Sequence, residues 1–540
     1  MILSNTEMEV LLPEMILVVG VVLAILVPNI GDAKFRIPLT RVRVPIFVGG
    51  TRLKGTSDPR LPALISITAF SLAMFFSFFG VSADSSAVEI GGVLAVNSFS
   101  RMMSFVFYAA LLLAAVAANY RLPARPSARA PRERDSAAQA ERLVRSLMDN
   151  RRQVDFHILL MMVGLGMSLM AMASNLFFMF VAIELASLAS YILVAFHKEE
   201  AVGGEAGAKY FIVGSVASAT GIYGMSLVYL WAGDLDFDAL AASWAAMDGY
   251  DPLAVIGLGL MLVAFGFKVS AAPFHLAAPD AYAGASSPVA GVLATASKAM
   301  GFVALLRVLL HVAMPDEGEA IWFVLLALIA IVTMTWGNLA ALTSENPKRM
   351  LAYSSVAHAG YMLAALAAVG SGLGDDSTTR LVLVAIIFHL SVLVLFKLGA
   401  FLVLGLLETE GRSHRLEDLH GLAHRDPLVA GSMFIFMLSL AGVPPLAGFL
   451  SKLLMINGII NISAGTGSTS ADAIVPWAES VDPVFWLAVA IVLYFLNILT
   501  ILLYSSSINS LSIIPGIRTC PCSVNCFFCL SDGSNKRHLC

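Results

Sequence analysis

The sequence predicts an all-α polytopic membrane protein of about thirteen spans, and three observations carry that expectation. The 540 residues are 58% apolar and only 13% charged, with a mean hydropathy of +0.84. So few charges cannot cover so much apolar surface in water. Apolar runs of about 18 to 25 residues recur along the chain, each the length that crosses a hydrocarbon core. The loops between these runs alternate between basic and non-basic, as the bias of Lys and Arg toward the cytoplasmic side requires. A net charge of −4 adds nothing, because its distribution matters more than its sum.

In order along the chain, candidate helices centre on 10–28, 62–81, 103–119, 156–173, 176–197, 209–231, 253–273, 287–311, 321–343, 350–370, 381–407, 428–460 and 484–505. The first run, from Val10 to Pro28, follows Glu7 and Glu9 and no basic residue, so it reads as a retained span with its N-terminus outside. The first loop carries Lys34, Arg36, Arg41, Arg43, Arg52, Lys54 and Arg60, and the third carries nine arginines between Arg121 and Arg152. Lys198, then Lys348 and Arg349, then Arg412, Arg415 and Arg425 fall in the fifth, ninth and eleventh loops. Asp234, Asp236, Asp238, Asp248 and Asp251 fill one intervening loop, and Asp316, Glu317 and Glu319 another. Odd loops are therefore cytoplasmic, and thirteen spans put the C-terminus there too.

These boundaries divide the chain into N-terminal helices over 1–120 with a loop insertion at 31–61, a basic cytoplasmic loop over 121–155, a first helical unit over 156–311, a second over 321–505, and a tail over 506–540. The Arg/Ala/Pro-rich stretch at 121–152 reads as an orientation signal drawn to anionic lipid, with room for a short surface helix.

The informative residues are ionisable groups inside spans, because a charge at mid-bilayer costs about 2.5–3.5 kcal/mol on insertion scales. Glu184 sits in FFMFVAIELASLASYILVAF, Lys268 in LMLVAFGFKVSAAPFH, Lys298 in PVAGVLATASKAMGFVALL and Lys452 in VPPLAGFLSKLLMI. His358, His389 and Lys397 are further polar residues in apolar surroundings. The plain alternative for a lysine is snorkelling from a helix end to the headgroups. That suits Lys268 and Lys452 poorly, since each has apolar sequence on one side and a proline-bearing segment on the other. For the histidines, a hydrogen bond between helices is an equally good reading.

Lysine suits proton transfer for a physical reason. Burial disfavours the ammonium form and a nearby carboxylate favours it, so a lysine whose partner approaches or withdraws takes up and releases a proton. Glu184 and Lys268 are the natural candidates for such a pair, with Ser187 and Tyr191 extending a polar face along the Glu184 helix. Lys298 is expected to be the central relay and Lys452 the exit group.

Pro273, and Pro444-Pro445 before Lys452, interrupt two apolar segments five spans apart. A run such as 428–460 is too long for one straight span, and proline inside it implies a broken helix. Breaks at matching places in two halves point to an internal repeat with an ion path at the breaks. An odd number of spans per repeat makes the two halves inverted.

With these residues placed, the chain resembles the antiporter-like subunits of respiratory complex I, in particular the N-type subunit. The resemblance rests on KVSAAPFHLAAPDAYAGASSPVAGVLATASKAMGF, whose D-x-Y-x-G-A form separates the N-type from its L- and M-type relatives. It rests also on NLFFMFVAIELASLASYILVAF, EAGAKYFIVGSVASATGIYGMSLVYL, NPKRMLAYSSVAHAGYMLAAL, KLGAFLVLGLLE and AGVPPLAGFLSKLLMINGII. It covers about 90 to 500. The resemblance implies fourteen helices with two inverted five-helix repeats, each with a broken helix, over 156–311 and 321–505. It implies that Glu184 and Lys268 form a charge pair, that Lys298 is the central lysine, that Lys452 belongs to the second broken helix, and that His358 lies on a hydrated axis between the halves. It further implies a proton-translocating subunit of NADH:quinone oxidoreductase with no cofactor of its own. NADH, FMN, iron–sulfur clusters and quinone would sit in partner subunits, with M-type and small K/J-type subunits as neighbours in the lipid bilayer and no nucleic acid. The expected location is a bacterial inner membrane or an organellar energy-transducing one.

Some positions depart from the family pattern. Ala277 replaces the usual tryptophan of the PFHxW stretch, and the usual GAP is Gly284-Ala285-Ser286. His389 and Lys397 stand where uncharged residues are common, either as an extra relay step or as partners for acids of a neighbouring subunit. All five cysteines lie in the last 21 residues, from Cys520 to Cys540. Their C-P-C-x3-C-x2-C spacing invites a zinc reading. The abrupt change of composition near Tyr494 instead predicts a frameshifted or mis-assembled terminus, which resequencing would test. Two other functional classes compete with the redox-driven pump: a subunit of a multisubunit cation/proton antiporter, and a structural scaffold whose lysines bind partner helices.

Overall fold

The structure is a computed structural model and describes residues 5–26, 30–36, 43–47, 61–79, 88–119, 136–197, 201–247, 249–314, 320–409 and 415–464. Its principal helices are α1 (Leu12–Leu26), α2 (Leu61–Phe79), α3 (Ser98–Asn119), α4 (Ser136–Met172), α5 (Leu176–Val194), α6 (Ala201–Ala232) and α7 (Pro252–Val269). Then come α8 (Ser287–Val312), α9 (Phe323–Leu342), α10 (Pro347–Gly370), α11 (Asp376–Thr409), α12 (Pro427–Ala441) and α13 (Ala447–Ala464). Among the described residues, ten helices are long and apolar enough to cross a membrane, and α1, α12 and α13 are shorter apolar helices. Each of the first twelve expected spans has a helical counterpart. The thirteenth span, expected at 484–505, and the cysteine-bearing tail lie outside the described residues.

Three differences from the sequence expectation have local causes. The run 428–460 is two helices, because Gly442 takes a left-handed φ of 88° and ends α12 before the Pro444-Pro445 pair. The expected insertion at 31–61 holds an antiparallel hairpin of Ile30–Arg36 with Arg43–Phe47. The fourth span begins earlier than its apolar run, because α4 continues unbroken from Ser136 through the basic stretch that reads as loop.

Helix starts follow from local chemistry. Asp251-Pro252, Asn346-Pro347 and Asp426-Pro427 each place an Asx side chain on the first free backbone N–H groups and a proline where no donor is needed. Asn175 caps α5 in the same way, accepting from Phe177 and Phe178. Close helix approach rests on small residues, as expected where lipid is as apolar as leucine. A Cβ on Gly337 would lie 2.5 Å from Ala357 N, and one on Gly360 would lie 2.6 Å from Met334 N, so α9 and α10 meet backbone to backbone. α8 and α10 are buried along their length by the surrounding helices. They form the interior against which the polar groups are set.

Candidate functional site

Both helix breaks leave backbone groups that need partners, and side chains supply them. At the first break α7 ends on Ser270, which takes a left-handed φ of 59°, unusual for a residue with a Cβ. Ala272 N then donates to Thr333 Oγ1 of α9 at 2.9 Å. At the second break Gly448 N donates to Ser439 Oγ at 3.2 Å. The Lys452 ammonium donates to the carbonyl oxygens of Leu440 at 2.8 Å and Ala441 at 3.1 Å, the last carbonyls of α12. Lys452 is thus buried with its charge on the negative end of a broken helix. Its Nζ also lies 5.5 Å from the centre of the Tyr361 ring.

Lys268 is buried in the last turn of α7, where its Nζ donates to Ser187 Oγ of α5. Tyr191, one turn further along α5, places its ring centre 5.4 Å from the same ammonium. Glu184 lies one turn before Ser187 and accepts from Ser218 Oγ of α6 at 2.5 Å. The charge pair expected of Glu184 and Lys268 is not a direct ion pair here. Ser187 of α5 takes the lysine of α7, and Ser218 of α6 takes the carboxylate of Glu184.

Lys298 is fully buried and follows a π-helical turn, Leu293–Ser297, inside α8. Such turns widen a helix and recur at functional positions. Its Nζ donates to the carbonyl oxygen of Ser355 on α10 at 2.7 Å, while Ser355 Oγ donates back to Ala294 O at 3.1 Å. Gly301 lets α8 close onto α7: a Cβ there would lie 2.8 Å from Lys268 Cβ. The first two lysines therefore stand on helices in direct contact.

From α10 the polar groups continue toward Lys452. Lys397 of α11, fully buried, donates to Ser354 Oγ at 3.2 Å. His358 Nδ1 and His389 Nε2 share a hydrogen bond of 3.0 Å, with the two rings stacked 5.1 Å apart. His389 Nδ1 pairs with Ser451 Oγ of α13 at 2.8 Å, immediately before Lys452. Asn338 donates to the Tyr361 hydroxyl at 2.9 Å, extending the polar wall of α10. All seven residues singled out in the sequence stand along this one series, from Glu184 on α5 to Lys452 on α13.

Other charges in the fold were not legible as a site. Glu14 of α1, in its first turn, accepts from Arg101 at 3.3 Å, Tyr108 at 3.0 Å and Ser168 at 2.5 Å, all buried. Arg101 within NSFSRMMSFVF is the sequence signal that could have found it. Lys348 reads from sequence as a loop cation beside Arg349, yet it is buried and ion-paired to Glu408 at the end of α11. Neighbouring positions on a helix point about 100° apart. Arg349 accordingly reaches Asp280 at 2.5 Å, which Lys209 also contacts at 2.9 Å.

Comparison with known proteins identifies the family of the fold. Residues 173–472 match the family described as NADH:quinone oxidoreductase/Mrp antiporter, TM. The chain belongs to this family. A relative from Rubrobacter xylanophilus named NADH-quinone oxidoreductase subunit N is 38% identical over 418 residues, covering 77% of this chain and 78% of the relative. One of the same name from Magnetococcus marinus is 34% identical over 435 residues, covering 80% and 82%. The match to a third, from Desulfitobacterium hafniense, is 39% identical over 57% of this chain and spans 63% of that relative's length. Among solved structures, a chain of respiratory complex I from Thermus thermophilus superposes with a TM-score of 0.60 at 27% identity, over 92% of this chain and 97% of that one. A chain of the Mrp complex from Dietzia sp. gives a TM-score of 0.68 at 22% identity, over 93% and 79%, which is a likeness of fold. This antiporter-like subunit thus carries Lys268, Lys298 and Lys452 on the broken and π-turned helices of the segment that the family match covers.

Proposed function

We propose that this chain is a proton-translocating, non-redox N-type membrane subunit of a NADH:quinone oxidoreductase, moving protons along the series from Glu184 and Lys268 through Lys298 to Lys452. The observation that carries this reading is the succession of buried lysines and histidines on five helices, each hydrogen-bonded to a neighbouring helix, with lysines at both breaks. Lys268, Lys298 and Lys397 are each held by a hydroxyl or a carbonyl oxygen rather than by a direct carboxylate. A site that only had to anchor its charge would pair it, since a buried unpaired ion is costly. A lysine that must lose and regain a proton is better served by neutral acceptors, which tolerate both forms. His358, His389 and Lys397 serve as auxiliary relay groups between the central lysine and Lys452.

On this reading the chain holds no cofactor. NADH, FMN, iron–sulfur clusters and quinone belong to partner subunits, with M-type and K/J-type subunits as its neighbours in the membrane. The drive comes from those partners, because lifting one proton against 100 mV requires about 2.3 kcal/mol. The N-terminus would face away from the cytoplasm in a bacterial inner membrane. The competing reading, a subunit of a multisubunit cation/proton antiporter, shares the fold; the D-A-Y-A-G-A stretch from Asp280 to Ala285 favours the first.

The test is Lys298→Met in membranes that contain the assembled complex. Proton uptake driven by NADH should disappear while the subunit still inserts. Normal uptake in that variant would overturn the reading.

A further inference from the structure

The Lys348–Glu408 ion pair lies where three chain segments converge, at the end of the molecule that carries the basic loops. Lys348 opens α10, and Glu408 closes α11. Lys348 Nζ also donates to Ala285 O at 2.8 Å, and Glu408 Oε2 accepts from Ser287 N at 3.2 Å, at the start of α8. Ser286, the residue before α8, makes no side-chain cap, so the Glu408 carboxylate takes over part of that role. The hydroxyls of Ser286 and Ser287 are both more than nine-tenths buried beside this pair, and neither has a hydrogen-bond partner within the protein. Buried hydroxyls normally find partners, so two of them beside an ion pair mark a place that holds water.

The same end of α10 leads inward to Lys298. Lys348 and Ser355 are seven residues apart, which is two helical turns on one face and a rise of about 10.5 Å. Ser355 is the residue whose carbonyl holds the Lys298 ammonium and whose hydroxyl holds Ala294 of α8. About three hydrogen-bonded waters would span that rise.

We propose that Glu408 is the proton-collecting carboxylate of this subunit, with Lys348 as its counter-charge and a water file past Ser286 and Ser287 leading to Lys298. The Glu408 carboxylate takes a proton from a hydronium ion at the basic-loop face, leaving water and weakening its pairing with Lys348. The resulting acid gives the proton to the water held by the serine hydroxyls, and the file delivers it to the neutral Lys298 amine, which becomes ammonium. The carboxylate then re-forms its ion pair. No electron moves and no other co-reactant is needed. Among the described residues, the titratable groups on helices packed against α11 are Lys348, Arg349, Tyr353, His358 and Tyr361 on α10, Lys298, Arg307 and His311 on α8, Lys452 on α13, and Arg101 and Tyr108 on α3. α12 carries none, while Asp376, Arg380, His389 and Lys397 are on α11 itself. Of these, only Lys348 is in ion-pair contact with Glu408. Asp280, Arg349 and Lys209 form a separate exposed group nearby in the chain.

A collecting group matters most when protons are scarce. At pH 8, direct capture at a diffusion limit of about 10^10 M−1 s−1 supplies about 100 protons per second, comparable to turnover of a fast enzyme. At pH 6 the supply is about a hundredfold larger and stops limiting.

This inference rests on the proposed pumping function, and the experiment separates the two. Inside-out vesicles bearing the assembled complex are assayed for the initial rate of NADH-driven proton uptake at pH 6 and pH 8, with Glu408→Gln, the double variant Lys348→Met/Glu408→Gln, and Lys298→Met. For Glu408→Gln, uptake should fall at least about tenfold at pH 8, and remain within about twofold of the parent at pH 6. The double variant removes both charges, so it would restore a role limited to holding the helices together. A proton collector is not restored, and the double variant should show the same loss at pH 8. If Glu408→Gln fails to assemble, the double variant carries the test by itself. Equal fractional losses at both pH values, or a double variant with the parental pH profile, would overturn the proposal. If Lys298→Met pumps normally, the pumping function itself fails. If Lys298→Met is inactive while both Glu408 variants keep the parental profile, only the collecting role fails.

Discussion

At the scale of single residues, the buried charges divide by how they are compensated. Glu14 is met by a guanidinium and two hydroxyls, a fully paired arrangement that ties α1, α3 and α4 together. Glu14→Ala would leave Arg101 buried without its carboxylate, and breaking such a pair costs about 3–5 kcal/mol. A lower thermal midpoint and a smaller yield of detergent-extracted subunit are therefore expected, measured by thermal aggregation. Glu14→Ala combined with Arg101→Leu should recover most of the loss. Lys452 is different, because its partners are the backbone carbonyls at the end of α12. Lys452→Met should leave the protein inserted but stop proton uptake, while Lys452→Arg keeps a donor on those carbonyls and cannot release a proton. Both should therefore read as inactive in vesicles, and full activity of the arginine variant would show that only the positive charge is required.

At the scale of elements, the two breaks depend on how closely neighbouring segments approach. A Cβ on Gly448 would drive into the carbonyl oxygen of Ser439, where α13 crosses the end of α12. Overpacking of this kind costs about 1–3 kcal/mol, or more where backbone is struck. Gly448→Ala should separate Ser451 from His389 and lower proton uptake more than assembly, measured as uptake per unit of complex on a native gel. Much of this scale is legible in the chain. Pro273 and Pro444-Pro445 announce the breaks because proline removes a donor, and the Asx-Pro pairs announce the starts of α7, α10 and α12. The polar chain from Lys298 to Ser355 and from His358 through His389 to Ser451 is not legible. It joins residues 31 to 62 positions apart along the sequence, and no periodicity records which helix stands beside which.

At the scale of the whole molecule, the alternation of basic and acidic loops gives an orientation that labelling tests. In a variant whose five native cysteines are serine, a cysteine at Asp236 should react with an impermeant maleimide from outside intact cells. One at Glu417 should react only in inside-out vesicles. The reverse pattern would invert the topology and place Glu408 on the wrong side of the membrane for a collecting role.

The sequence by itself determined the membrane class, the positions of twelve of its spans, the family, and the residues whose charges need a reason to be in oil. These follow from quantities local to the chain: apolar run length, proline, and a charge within an apolar run. Only the tertiary structure decided that Lys268 meets Ser187 and Glu184 meets Ser218, that Lys348 is an interior cation while Arg349 is not, and that Glu408 meets the start of the Lys298 helix. A buried charge is defined by what surrounds it in space. Its neighbours come from other helices, and their identity is fixed only when the helices pack.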